Sequence, residues 1–166
     1  MRLNKEELKY FSMAKRSVKR SIKNNKLLNF DDLNFRIIRF DKEEDKSVSA
    51  FFGCDTNMNC YIGVDNILIK NSYEDYRFAQ LWRDGYEAKM IVDELKKILY
   101  HEYAHYLVFK YSIDINCFSL PTESKSEVAY KSEEEDFCEA FADYMVKNEN
   151  TIERNIAIEK ILQIYN

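Results

Sequence analysis

The sequence predicts one α+β domain, residues 1–166, with an N-terminal helix, a small, mostly antiparallel sheet, and helices that complete the chain. Three observations predict this order. Apolar residues recur at helical spacing near the start, β-rich segments with short turns follow, and helical spacing returns from residue 87. With 166 residues, 46% of them hydrophobic, the chain is long enough for one buried core.

Composition excludes two classes of protein. Twelve Tyr and 11 Phe, with apolar residues along the whole chain, exclude intrinsic disorder. No stretch approaches about 18 consecutive apolar residues, so we expect no membrane span and no membrane partner. The first residues lack the apolar core of a signal peptide, which favours a cytoplasmic protein or export by a route without a signal peptide.

Residues 5–27 predict a basic amphipathic helix. Its apolar residues (Leu8, Phe11, Val18, Ile22) recur at roughly helical spacing, and basic residues between Lys15 and Lys23 cover the other side. A basic helix face can attract nucleic acid, but no nucleic-acid-binding motif accompanies this one. We therefore expect a solvated face and no nucleic-acid partner.

The predicted sheet consists of residues 34–40, 47–52 and 60–64. The links between these segments are too short for crossover helices, which favours antiparallel pairing. Residues 66–69 are expected to extend the last strand, and residues 73–84 to contain a short helix.

The four cysteines include no CxxC pair, and we expect reduced, partly buried thiols. They are Cys54, Cys60, Cys117 and Cys138. As an alternative, Cys54 and Cys60 could form a disulfide across a hairpin in an oxidising compartment.

The strongest predicted helix covers residues 87–109 and contains both histidines of the chain, in the pentapeptide 101–105. Side chains four residues apart on a helix point the same way, so the nitrogens of His101 and His105 can reach one metal ion. Glu102, next to the first histidine, can contact metal-bound water without ligating the metal. In that position it can act as a general base.

A catalytic zinc site needs a third protein ligand, and the chain has no third histidine. A carboxylate is therefore expected. Glu135, Glu139 and Asp143 are spaced four residues apart on the next predicted helix, residues 132–147, and share one face. A zinc site uses one such carboxylate as a ligand and a second, one turn later, to accept the free N–H of a ligating histidine. A third helix is expected between residues 152 and 165.

The motif H-E-x-x-H at 101–105, followed by E-x-F-x-E-A-F at 135–141, resembles the gluzincin metallopeptidases. The resemblance is closest to the anthrax-lethal-factor-like group and its compact bacterial relatives. It implies a zincin-like minimal domain and Zn²⁺ as the cofactor. It also implies that Glu135 is the third ligand and Glu139 the supporting acid.

The thermolysin-like pattern E-A-x-x-D fits the same stretch one turn later. In that register Glu139 is the ligand and Asp143 the supporting acid. The first register matches more letters and is preferred. A capping box formed by Ser132 and Glu135 would use the Glu135 carboxylate locally and favour the second register.

The resemblance also implies an oxyanion-stabilising Tyr shortly before the glutamate helix, and Tyr130, five residues before Glu135, is the nearest. We thus expect a zinc metallopeptidase with Glu102 and Tyr130 as catalytic residues and a peptide or protein as substrate. As in the resembled family, an extended substrate would pair with a strand edge, here residues 60–64 or 66–69. The alternative is a zincin-like binding protein or pseudoenzyme that binds metal and a protein partner without cleavage.

Overall fold

The computed structural model describes residues 2–24, 36–40, 50–78, 86–115, 132–146 and 152–164, without the side chains of 75–78 and 86–88. Its elements are α1 (Lys5–Asn24), β1 (Arg36–Phe40), β2 (Ala50–Cys54), β3 (Cys60–Asp65), α2 (Asn66–Phe78), α3 (Tyr86–Tyr111), α4 (Glu133–Val146) and α5 (Ile152–Ile164). Five helices and a three-stranded sheet in these ranges confirm the α+β class. No helix in these ranges is both long enough and apolar enough to cross a membrane.

The sheet has the strand order β1-β3-β2, and its two pairings differ in direction. β2 runs antiparallel to β3, but β1 runs parallel to it, so the sheet is mixed rather than mostly antiparallel. The antiparallel prediction is wrong for β1 because β2 carries the chain back across the sheet. β3 then starts from the same end as β1 and therefore pairs with it in parallel.

The strand edges also differ from the prediction. β3, the inner strand, has neighbours on both sides, so residues 60–64 offer no free edge. Residues 66–69 begin α2 instead of extending the strand. Asp65 ends β3, and its Oδ1 accepts a hydrogen bond from the backbone N–H of Ile67 at 2.9 Å. This cap satisfies a free N–H group in the first turn, so the helix starts directly after the strand.

α3 is the central element and contacts α1, α2, α4, β2 and β3. One stripe of α3, spaced four residues apart, is fully buried: Ile91, Leu95, Leu99, Tyr103 and Leu107. This stripe belongs to the hydrophobic core formed by the described residues, which also contains residues from the sheet and from α4. Because α3 is packed on several sides, the side chains on its remaining face are held on a rigid support.

α1 lies along α3 and packs into the core through Phe11, Val18 and Ile22. Lys15, on its basic face, donates a hydrogen bond from Nζ to the backbone oxygen of Ile37 in β1 at 2.8 Å. Burial, together with nearby positive charges, lowers the pKa of Lys15. This cation therefore joins the helix to the sheet.

Cys54 and Cys60 are bonded in a disulfide, which is the alternative rather than the expected pair of thiols. The two residues are direct partners in the β2–β3 register, where side chains of an antiparallel pair lie close together. The bond closes the turn between the two strands. Cys138 is a free, buried thiol, as expected, and Cys117 lies outside the described residues.

A buried ion pair fastens α5 to the start of α4. Arg154 Nη2 lies 2.7 Å from Asp136 Oδ1, and the two side chains are only 8% and 2% exposed. The same Nη2 also donates to the backbone oxygen of Asp136 at 3.2 Å. Both groups are removed from water, so loss of one leaves the other charge buried without compensation.

Replacing Arg154 with Ala should therefore lower the free energy of unfolding by about 3–5 kcal/mol. Urea denaturation of the whole chain measures this change. Lys160→Ala removes an exposed cation from the same helix and serves as the control, with an expected change within about 0.5 kcal/mol. Equal stabilities of the two variants would show that the ion pair does not fasten α5.

Candidate metal centre

Two histidines on α3 form one side of the candidate site. His101 and His105 are one helical turn apart, and their ring centroids are 5.0 Å apart. Their side chains are about one-fifth exposed, at 19% and 18%. Burial, followed by the charge of His105, lowers the pKa of His101 despite the opposing effect of nearby glutamates. A lowered pKa favours the neutral imidazole, which is the form that binds metals.

The N-terminus of α4 forms the other side. The Oγ of Ser132 accepts a hydrogen bond from the backbone N–H of Glu135 at 3.1 Å, so Ser132 caps the helix as the sequence suggested. The Glu135 carboxylate does not complete a capping box, because it is turned toward the histidines. The Glu135 side chain therefore does not have the capping role that competed with metal binding in the sequence analysis.

The Glu135 carboxylate lies close to both histidines. Its Oε2 lies 3.1 Å from Nε2 of His101, and its Oε1 lies 3.6 Å from Nε2 of His105. One ligand atom from each of the three residues lies within 4.8 Å of the others. Among the described residues, these three form the cluster that could hold a metal ion, and we call it the triad.

Glu102 lies at the inner side of the triad. It is 8% exposed, and its carboxylate accepts a hydrogen bond from the backbone N–H of Phe52 in β2. Burial raises the pKa of Glu102 to about 7, with a further contribution from Glu135, while His105 and the Phe52 hydrogen bond oppose the shift. The site thus contains a carboxyl group that can gain and lose a proton near neutral pH.

The other two candidate acids on α4 lie further along the same face. Asp143 Oδ1 is 2.7 Å from Nζ of Lys97, one turn before His101 on α3. Burial alone would lower the pKa of Lys97, but the hydrogen bond to Asp143 and nearby carboxylates, including Glu139, raise it. Glu139 also acts on His101 through its charge. The structure therefore groups Glu135 with both histidines and pairs Asp143 with a lysine.

Two residues near the start of α4, Tyr130 and Glu134, also bear on the candidate site. Tyr130, the expected oxyanion donor, lies outside the described residues. Glu134 was not among the candidate acids of the sequence analysis, but its Oε1 lies 2.7 Å from Nδ1 of His105. The available signal was the cap at Ser132, because it marks the start of α4 and so places Glu134 and Glu135 on the first turn. Which way each points depends on how α4 packs on α3.

Comparisons with protein-family models, with curated proteins and with solved structures find no match for this chain. The geometry and chemistry of the side chains are therefore the basis on which a function is assigned. The triad, the buried Glu102 and the adjacent strand β2 are the features that any assignment must use.

Proposed function

We propose that this protein is a zinc-dependent metallopeptidase of the gluzincin type, in a zincin-like domain. The observation that carries the proposal is the grouping of His101, His105 and Glu135 within 4.8 Å beside the buried carboxyl group of Glu102. Two imidazole nitrogens and one carboxylate are a ligand set of catalytic zinc sites, which keep a fourth position for water. The expected motif register, with Glu135 as third ligand, fits this grouping.

The chemistry of the donor set fits zinc. Imidazole and carboxylate are both ordinary zinc ligands, and the three ligand atoms come from two packed helices. Zinc held by His101, His105 and Glu135 would supply an acidified water and a Lewis acid for the scissile carbonyl. Calcium and magnesium prefer oxygen ligands, so two imidazoles disfavour both ions.

Glu102 is the proposed general base. It accepts the proton of the attacking water and transfers it to the leaving amine, as expected for a carboxyl group close to a metal site but outside the ligand set. The backbone N–H of Phe52 in β2 donates a hydrogen bond to this carboxylate and helps to hold it in place. Tyr130 remains our candidate for stabilising the oxyanion, and backbone or cationic donors are the other groups that could do so.

The strand that we propose to receive the substrate is β2, in place of the residues 60–64 or 66–69 expected from the sequence. Within the described sheet β2 is an edge strand, and it packs against α3 beside the triad. A peptide that pairs with this edge would run past Glu102, because Phe52 of β2 contacts that side chain. The proposed substrate is therefore an extended segment of a peptide or protein.

The competing function is a metal-containing binding protein that recognises a partner without cutting it. The presence of Glu102 favours the peptidase, because a pseudoenzyme could lose this residue and still hold metal through the triad. The two functions predict the same metal content and differ in peptide cleavage.

The test is zinc analysis of the purified protein followed by incubation with a peptide library. We expect one zinc per chain, cleavage of a subset of peptides, loss of cleavage with a chelator and recovery on addition of Zn²⁺. Bound zinc without cleavage of any peptide would favour the binding protein. Absence of zinc affinity would contradict both functions.

A further inference from the structure

Glu134 lies beside the triad but has no part in the proposed ligand set. Its Oε1 is 2.7 Å from Nδ1 of His105, a contact across 29 residues of sequence. Glu135 approaches the other nitrogen of the same ring, with its Oε1 3.6 Å from Nε2. The imidazole of His105 is thus held between two consecutive carboxylates on the first turn of α4.

We propose that Glu134 is a positioning residue that fixes the tautomer and orientation of His105 for metal binding. This inference rests on the proposed function, because it takes His105 to be a ligand. A neutral imidazole has one N–H and one lone pair, and the metal binds at the lone pair. Glu134 accepts the N–H at Nδ1, so the lone pair lies on Nε2, the nitrogen that faces Glu135.

This assignment differs from the two that the sequence offered. Glu139 and Asp143 were the acids expected to support a histidine, and Asp143 instead lies 2.7 Å from Lys97. A carboxylate that accepts the second N–H of a ligating histidine also makes the imidazole a stronger ligand. The N-terminus of α4 offsets part of the repulsion between Glu134 and Glu135, because negative charge is favoured there.

The preceding residue offers a matched control. Glu133 is on the same helical turn, carries the same charge and is exposed. Replacement of Glu133 or Glu134 by Ala therefore changes the net charge and the charge at the helix N-terminus equally. The two variants differ in the hydrogen bond to His105. The Glu134 side chain is 43% exposed, so its removal leaves no buried cavity.

The first measurement is the dissociation constant for Zn²⁺, from competition with a chromogenic chelator, for the full chain and its variants. Glu134→Ala should weaken zinc binding by about 10–100-fold. Glu134→Gln should fall between this variant and the wild type, because its amide oxygen can still accept the Nδ1–H but carries no charge. Glu133→Ala should stay close to the wild type.

The second measurement needs no metal. Nitrogen-15 NMR of the imidazole rings in the metal-free protein reports which nitrogen of His105 carries the proton. We expect the Nδ1–H tautomer in the wild type and in Glu133→Ala, and loss of this preference in Glu134→Ala. An unchanged tautomer in Glu134→Ala would overturn the inference.

The zinc measurement separates this inference from the proposed function. A wild type that binds no zinc contradicts the proposed function itself. A wild type that binds zinc and cleaves peptides, with equal zinc affinity in Glu134→Ala and Glu133→Ala, overturns only the role of Glu134.

Discussion

Replacing Glu102 with Gln should lower peptide cleavage by about 10²–10⁴-fold while zinc remains bound, because the amide cannot accept the proton of the attacking water. Gln has nearly the same size and keeps an oxygen that can accept the Phe52 N–H. The proposed ligands are untouched. The ratio kcat/KM on a cleaved peptide and the zinc content of the same sample measure the two parts of this expectation.

Glu94→Gln is the matched control, since it makes the same chemical change on α3 eight residues earlier. We expect it to keep both activity and zinc. Cleavage by Glu102→Gln at the rate of Glu94→Gln would exclude Glu102 as the general base. Loss of zinc from Glu102→Gln would instead place its carboxylate among the metal ligands.

Glu102→Gln should also show how the buried Glu102 carboxyl group affects the free energy of unfolding. Burial raises the pKa of Glu102 from 4.5 to about 7, so the metal-free folded protein retains a proton here that the unfolded chain has lost. The contribution of Glu102 to wild-type stability should therefore fall as the pH rises through this interval. The Gln variant has no such proton, so its stability relative to the wild type should increase from about pH 5 to about pH 8. Urea denaturation in chelator measures this difference, and a relative stability that decreases with pH would contradict it.

The second large effect is expected at the third ligand. Glu135→Ala should weaken zinc binding by more than the about 10–100-fold typical of losing a supporting residue, and should abolish cleavage. Glu139→Ala removes a carboxylate one turn later on the same face and should retain zinc. The physical reason is the distance: Glu135 lies 3.1 Å from His101 and 3.6 Å from His105.

Zinc content and chelator competition on the two purified variants decide between the registers. Thermal unfolding of the metal-free forms checks that both remain folded. If Glu139→Ala loses zinc and Glu135→Ala keeps it, the thermolysin-like register is correct and the triad is misassigned.

The candidate metal site could be predicted from the sequence up to the packing of α4 on α3. Local helical geometry already places His101 and His105 on one face of α3. The spacing of the candidate acids likewise places these acids on one face of α4. Which acid meets the histidines depends on the register between the two helices. The contact between Lys97 and Asp143 reflects that register, and no local pattern contains it. Glu134 was missed for the same reason.

In the fold, the α+β class and the element order could be predicted, but the strand order could not. Parallel pairing of β1 with β3 depends on contacts between segments separated by β2, whereas periodicity reports only local structure. The start of α2 was missed because its apolar residues also suit a strand. The cap from Asp65 favours the helix there.

The ion pair between Asp136 and Arg154 has a consequence for how small a working fragment could be made. A chain shortened after α4 would keep all three triad residues, yet Asp136 would lose its cationic partner one residue after Glu135. A fragment that keeps the triad with its α4 support intact must therefore also include α5. Transfer of the triad to another scaffold with α4 unchanged would also require a cationic partner for Asp136.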